Sequence, residues 1–257
     1  SIAAQILRHE VTHLQCTPSM ARMIAMNDEA RYALSKVQHL FLGGEPLPGA
    51  LVQEFGKITE ASITNMYGPT ETTIWSSTEA AGRGDGVVNI GLPLANQQLY
   101  VLDEDMQPVG VGQPGELWIG GEGVTRGYWG REDLTAERFV PNPFHAGRMY
   151  RTGDLVRRRM DGRIDFIGRV DHQVKIRGFR IELGEIEAVM EAQPGVTQAV
   201  VVAREDHPGD IRLVGYYSAE TPLDEAAMKA AMGADLPGFM VPAHLMRLER
   251  FPLTPNK

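Results

Sequence analysis

Apolar positions in the first hundred residues alternate between two spacings. Runs of strand length, "THLQCT" (12–17), "VQHLFL" (37–42) and "ITNMYG" (63–68), are separated by "SMARMIAMNDEARYAL" (19–34) and "PGALVQEFGKI" (48–58). In the two separating segments the apolar residues recur at helical intervals, and the second opens with proline. The order β-α-β-α-β predicts a parallel sheet with helices packed on its faces. From about Leu99 the period becomes two. "QLYVLDEDMQPVGVGQPGELWIGG" (98–121) reads as strand, turn, strand, and "RIDFIGR" (163–169) as a further alternating strand, with one short helix at "REDLTAERF" (131–139). A small antiparallel sheet or barrel is expected over 99–170. A third segment follows, with a helix at "LGEIEAVMEAQ" (183–193), strands at "TQAVVVARED" (197–206) and "IRLVGYYSAE" (211–220), a helix at "LDEAAMKAAMGADL" (223–236) and a strand at "HLMRLERFP" (244–252). The expected boundary lies near Asp171. The fold class is therefore α/β: a parallel-sheet part (1–98), a β-rich, barrel-like part (99–170) and a small α+β unit (171–257).

Two predicted strands run into loops of unusual composition, "LGGEPLP" (42–48) and "YGPTETT" (67–73). In open α/β sheets, ligands bind outside the carboxyl ends of strands, so both loops are candidate site elements. "NMYGPTETTIW" (65–75) sets an aromatic ring near one end and a single carboxylate among threonines, a pattern suited to a ligand with a flat part and a charged part.

Composition narrows the class. The chain has 257 residues, 43% hydrophobic and 23% charged, as expected of a soluble globular protein. No apolar run approaches the roughly 20 residues that cross a bilayer, and the charged start "SIAAQILRHE" does not read as a signal peptide. A cytoplasmic location is expected. The net charge of −8 argues against general nucleic-acid binding. Between residues 148 and 180, however, ten Arg or Lys stand against four Asp. That stretch is either a solvated basic hairpin or a surface for a phosphate-bearing ligand. The single cysteine, Cys16, excludes an internal disulfide and reads as a small buried hydrophobe. The seven histidines are spread along the chain, with only His9 and His13 four positions apart, so a structural metal site is not expected. "GVGQPG" (110–115) matches a dinucleotide fingerprint in letters only, because a proline and a strand follow it instead of a helix, so a β-turn is expected.

Taken together, "NMYGPTETT", "GELWIGGEGVTRGYWGREDLTAERFV" (115–140), "MYRTGDLVRRRMDGRIDFIGR" (149–169) and "RVDHQVKIRGFRIELGEIE" (169–187) resemble the adenylation domains of nonribosomal peptide synthetases, in the adenylate-forming superfamily. Order and spacing match over nearly the whole chain. The resemblance implies activation of an amino acid or related acid by ATP and Mg²⁺ as an acyl-adenylate, then transfer to the phosphopantetheine thiol of a peptidyl carrier protein, in peptide antibiotic biosynthesis. It implies that Tyr67 stacks on adenine, with Asn65, Gly44 and Glu45 alongside. Thr70 would donate to the α-phosphate, and Glu71 would hold Mg²⁺. Asp154 would accept both ribose hydroxyls, with Arg169 charged against ribose or phosphate and Phe166 packed near the nucleoside. Arg158 and Arg163 are expected to be solvated.

The same resemblance makes Asp171 the hinge of a mobile C-terminal unit and brings Lys175 and Gly178 into the thioester step. Lys257 matches either the lysine that acts on the substrate carboxylate or the position before it. The substrate pocket would be lined by Gln15, Leu40, Leu42, Met66, Ile74 and Trp75, which suits an apolar side chain. The Ser/Thr/Gly-rich phosphate loop and the aspartate for the substrate amine are expected upstream, so the chain reads as part of a domain. Its partners would be the upstream part of that domain and an MbtH-like protein. Two other readings stay open: an acyl- or aryl-CoA ligase of the same superfamily, and a non-catalytic nucleotide-binding or docking module.

Overall fold

The first sheet of the structure, a computed structural model describing residues 1–251 apart from 83, 85, 171, 172, 208 and 209, grows from the three runs of strand length. After helix α1 (Ile2–Arg8) come β1 (His13–Cys16), α2 (Pro18–Ile24), α3 (Asp28–Leu34), β2 (His39–Gly43), α4 (Gly49–Phe55) and β3 (Ser62–Tyr67). β1, β2 and β3 are parallel, with Leu14 opposite Leu40 and Leu40 opposite Ile63. The apolar stretch 19–34 forms two helices, because the chain caps itself twice. Thr17 Oγ1 accepts from Met20 N at 3.2 Å ahead of Pro18, and Asn27 Oδ1 accepts from Ala30 N at 2.8 Å. Helices and strands share a core containing Ala21, Leu34, Leu40, Leu42, Leu51 and Phe55. Two antiparallel strands that the periodicity did not mark, β4 (Ser77–Ala80) and β5 (Leu92–Pro93), extend the sheet beyond β3.

Cys16 packs against this core, and burial pushes its thiol from 9.0 up to about 11. In the unfolded chain the thiol ionises at its ordinary value, so above that value the unfolded state binds fewer protons. The stability contributed by the neutral thiol is therefore lost as pH rises from 9.0 towards about 11. Relative to Cys16→Ala, the parent should lose about 1 kcal/mol between about pH 8 and about pH 10.5, read from urea unfolding. Parallel pH profiles for the two proteins would show that the thiol is not protected.

The second sheet comprises β6 (Gln97–Leu102), β7 (Pro114–Gly121), β8 (Phe139–Pro141), β9 (Arg148–Arg158) and β10 (Ile164–Arg169), with α5 (Glu132–Arg138) between β7 and β8. Its strand order is β10-β9-β7-β6, with β8 also on β9. The expected barrel does not close. Ile90 N donates to Ile164 O at 2.8 Å and Ile164 N to Gly91 O at 3.2 Å, so the edge of β10 is taken by the segment leading from the first sheet. Residues 110–113 form the expected turn, with Gln113 N donating to Gly110 O at 3.0 Å.

The chain separates into two units, Ser1–Asp171 and His172–Lys257. The second begins with a hairpin of β11 (Val174–Ile176) and β12 (Phe179–Ile181), followed by α6 (Leu183–Glu191), β13 (Val196–His207), β14 (Asp210–Ala219), α7 (Glu225–Asp235) and β15 (His244–Arg247). β13 pairs antiparallel and β15 parallel with β14, and α6 and α7 contribute Ile186, Met190, Met228 and Met232 to a core of their own. β15 is shorter than the apolar run suggested. Among the described residues no helix is long and apolar enough to cross a membrane.

Candidate functional site

β3 ends at Tyr67, and the chain then turns tightly enough that a Cβ on Gly68 would lie 2.5 Å from Ile74 O. Thr70–Thr72 form one 3₁₀ turn, after which Thr73 (φ 62°) and Ile74 (φ 70°) both take left-handed backbone. β-branched residues adopt that region at a cost, and such strain persists only where surrounding bonds enforce it. Here they do. Ile74 N donates to Pro69 O at 3.2 Å and Ser76 N to Tyr67 O at 2.8 Å. Thr73 Oγ1 donates to Gly123 O at 2.7 Å, and the buried hydroxyls of Thr72 and Ser76 lie 2.7 Å apart. Thr72 therefore closes the loop on itself and Thr73 ties it to the segment after β7, while Thr70 is exposed.

Asp154 owes its orientation to an irregularity in β9. Opposite β7 the register shifts between Glu116 and Trp118, and Gly153 adopts φ 73°. Such a β-bulge re-aims a side chain and is common beside active sites. The bulge is bonded at each step: Gly153 N donates to Glu116 Oε1 at 3.1 Å, Thr152 Oγ1 to Leu117 O at 2.6 Å, and Asp154 N to Thr152 Oγ1 at 3.0 Å. The carboxylate that results is buried and held on both oxygens. Arg169 donates to Oδ1 at 2.6 Å, with side-chain exposures of 8% for Arg169 and 4% for Asp154, and the Tyr67 hydroxyl donates to Oδ2. Burial, followed by the Asp154 charge, holds the Tyr67 phenol well above its ordinary range, so it remains a donor.

Glu71 is bound in a similar way. Its Oε1 accepts from Tyr128 at 2.7 Å and from Tyr150 at 2.9 Å, and its carbonyl accepts from Thr125 N at 2.9 Å. The Tyr128 hydroxyl is also held protonated far above its ordinary range, first by burial and then by Tyr150 and Glu71. Two rungs thus join the loop after β3 to β9. Tyr67 reaches Asp154 and Tyr150 reaches Glu71, with the rungs four positions apart on either side. Four residues of extended chain span roughly 13 Å at most, so the two carboxylates belong to one locality. The signal that would have revealed Tyr150 lay in plain view, four positions before Asp154 in "YRTGD"; Tyr128, 57 residues from Glu71, offered none.

The other expected residues divide. Phe166 packs against the cluster that contains Tyr67, Ile90, Leu99, Val156 and Ile164. The Tyr67 ring lies inside that cluster at 6% exposure, and its hydroxyl bonds Asp154. Asn65 is buried and donates to Asn89 O at 2.9 Å, which ties β3 to the chain ahead of β5. Glu45 Oε2 accepts from Ser19 N at 3.0 Å, while its buried Oε1 has no partner, as suits an acceptor awaiting an N–H donor. Trp75 Nε1 donates to Gln15 Oε1 at 3.3 Å, and its ring lies where a Cβ on Gly43 would point. By strand alternation, Met66 shares that face, whereas Leu40 and Leu42, at 1% and 0% exposure, point into the helix-covered core. Those two do not join Gln15 and Trp75. Ile74 is exposed at 56%.

Arg163 does not point freely into solvent, as expected from sequence, but binds Glu79 at 2.9 Å; Arg158 donates to Leu99 O at 2.7 Å. The basic stretch is largely matched by acids of the same unit, which include Glu116 for Arg151 and Asp165 for Arg157. Lys175 lies on β11, and Gly178 in the turn of the β11–β12 hairpin. Asp171 and Lys257 lie outside the described residues. Among the described residues, no group of three or more His, Cys, Asp and Glu is placed to hold a metal ion.

Residues 1–129 match the family model for AMP-binding enzyme, and residues 185–257 match that for the AMP-binding enzyme C-terminal domain. The chain is 48% identical to a dimodular nonribosomal peptide synthase of Bacillus subtilis (strain 168), over 100% of its own length and 11% of that protein. The fold is similar to holo-PA1221, an NRPS protein containing adenylation and PCP domains bound to a vinylsulfonamide inhibitor (TM-score 0.86, 27% identity, 98% of this chain and 44% of that one). It is also similar to holo-AB3403, a four-domain nonribosomal peptide synthetase bound to AMP and glycine (TM-score 0.61, 41% identity, 100% of this chain and 19% of that one). The chain thus spans a small part of the curated relative and less than half of either solved chain.

Proposed function

The chain belongs to the AMP-binding enzyme family, and on that premise we propose that it forms part of an amino-acid-activating ligase of nonribosomal peptide biosynthesis. The observation that carries this reading is the doubly bonded ladder holding Asp154 and Glu71 in one locality. In the first half-reaction a carboxylate oxygen attacks the α-phosphorus of ATP, the bond to the β-phosphate bridging oxygen breaks, and pyrophosphate leaves. In the second, the thiolate of a carrier protein's phosphopantetheine attacks the acyl carbon, a C–S bond forms, the C–O bond breaks, and AMP leaves.

Each residue then has a task. Asp154 accepts the ribose hydroxyls on the acceptor positions that Tyr67 and Arg169 do not use, since an ionised carboxylate offers about four. Tyr67 and Arg169 act by fixing that carboxylate. Glu71, oriented by two tyrosine hydroxyls, would offer a hard carboxylate oxygen to magnesium, and the ion, when bound, would neutralise charge moving onto pyrophosphate. Thr70, exposed beside it, donates to the α-phosphate, and Glu45 Oε1 accepts from the adenine amine. Gln15, Met66, Ile74 and Trp75 form one wall of the pocket for an apolar side chain. Residues 1–170 belong to the large subdomain and 171–257 to the mobile one, with Asp171 as hinge and Lys257 at or beside the carboxylate-binding lysine. The partners are a carrier protein, the upstream part of the domain and an MbtH-like protein, in the cytoplasm.

Extending the reading frame on both sides and measuring pyrophosphate exchange tests this. Exchange that depends on an apolar amino acid, followed by loading of a carrier protein, is expected. Loading of free coenzyme A in preference to a carrier would instead identify a CoA ligase. Nucleotide binding with no exchange for any acid would leave a docking module.

A further inference from the structure

Phe179 and Phe239 are exposed by 46% and 42%, yet their rings stack with centroids 4.0 Å apart and planes 9° from parallel. Two half-exposed aromatics held face to face need a reason. Phe179 is the first residue of β12, directly after the turn of the β11–β12 hairpin, and Phe239 lies on the segment between α7 and β15.

That hairpin is a two-stranded sheet with no third strand, and such a unit is marginal alone. Its turn places Arg177 at φ 52° and Gly178 at φ 81°, the two left-handed positions of a type I′ turn. Glycine fits there without cost, but arginine does not. Register puts Val174 opposite Ile181 and Ile176 opposite Phe179, so these four share one face, while Lys175 and Arg180 pair on the other. Val174, Ile176 and Ile181 pack in the core of the second unit. Beside the strained turn, Ile176 is held by that core, and its partner Phe179, half exposed, is held by the stack on Phe239.

We infer that Phe239 is a positioning residue for the thioester step: its ring clamps the tip of the β11–β12 hairpin, so that Lys175 and Gly178 are presented in one conformation. This rests on the proposed function and on the part in the thioester step that the family resemblance implies for Lys175 and Gly178. The adenylation half-reaction needs no such clamp, because none of the residues assigned to it lies on the hairpin: all but Lys257 belong to the other unit. A misplacement of about 1 Å in a positioned element costs up to about 100-fold in rate, so the loss should fall on one half-reaction alone.

The test uses Phe239→Leu, which keeps an apolar side chain without a ring, and Phe239→Tyr, which keeps the ring, in the protein extended to its full reading frame. Carrier loading by Phe239→Leu should fall at least about tenfold while pyrophosphate exchange stays within about twofold of the parent, and Phe239→Tyr should restore loading. Amide hydrogen exchange over residues 174–181 should quicken in Phe239→Leu whether or not the enzyme is turning over. Unchanged loading, an equal fall in both half-reactions, or unchanged amide protection would each overturn the inference. A parent with no pyrophosphate exchange would instead refute the functional reading, and the amide measurement would still decide whether the clamp exists.

Discussion

Asp154→Ala eliminates pyrophosphate exchange, with a fall of at least about 100-fold. Each charge-assisted hydrogen bond to a sugar hydroxyl is worth about 1.5–3 kcal/mol, and both are lost together. The substitution also strands Arg169, whose side chain is only 8% exposed, and leaving a buried charge unpaired costs about 3–5 kcal/mol of stability. The two effects separate cleanly. Against a typical total stability of about 5–15 kcal/mol the second loss can take most of the margin, so unfolding of the same variant is measured beside exchange, and activity lost from the folded fraction reports the site. Asp154→Asn combined with Arg169→Met should regain the stability that Asp154→Asn loses while regaining none of the activity. Recovery of exchange by that double variant would mean that Asp154 serves only to neutralise Arg169.

Glu71→Gln should lower exchange by roughly 100-fold and shift its magnesium dependence to higher concentration, because the ion loses its carboxylate while the amide oxygen still accepts from Tyr128 and Tyr150. Thermal unfolding should hardly change. Glu71→Ala adds a structural cost of up to about 1–3 kcal/mol, because the fully buried Tyr150 loses its 2.9 Å carboxylate acceptor and keeps the longer contact with the Tyr128 hydroxyl. A Glu71→Gln enzyme with the parent's magnesium profile would remove Glu71 from metal binding and leave it as the anchor of the two tyrosines.

Local periodicity carried much of the fold. The three parallel strands and α4, α6 and α7 declare themselves through spacing, because each buries one face against a core. Where two local signals overlap, spacing fails. The apolar run 19–34 looks like one helix, yet Asn27 caps a new one in its middle. β4, with the polar sequence Ser77–Ala80, is a strand because β3 offers it an edge, which no property of its own residues announces. The barrel expected over 99–170 fails for a similar reason, since Gly91 takes the edge of β10 from a distance of 73 residues in the chain.

At the site, residue types suited to a nucleotide and a metal were legible, but their pairings were not. From sequence Arg169 and Tyr67 read as ligand contacts, and what the structure adds is a bond from each to Asp154. Those bonds follow from burial: a carboxylate taken out of water must be satisfied by the chain before it can serve a ligand. The pocket residues divide for a simpler reason, since the alternation of β2 turns Leu40 and Leu42 away from the face on which Gln15 meets Trp75.

The central claim is that Glu71 and Asp154 serve the same bound nucleotide at its two ends. Calorimetric titration with adenosine and with magnesium-ATP tests it most directly in the parent, Glu71→Gln and Asp154→Asn. Asp154→Asn should weaken both ligands, whereas Glu71→Gln should leave adenosine untouched and weaken magnesium-ATP. Equal adenosine binding by all three proteins, or magnesium-ATP binding indifferent to Glu71, would contradict it.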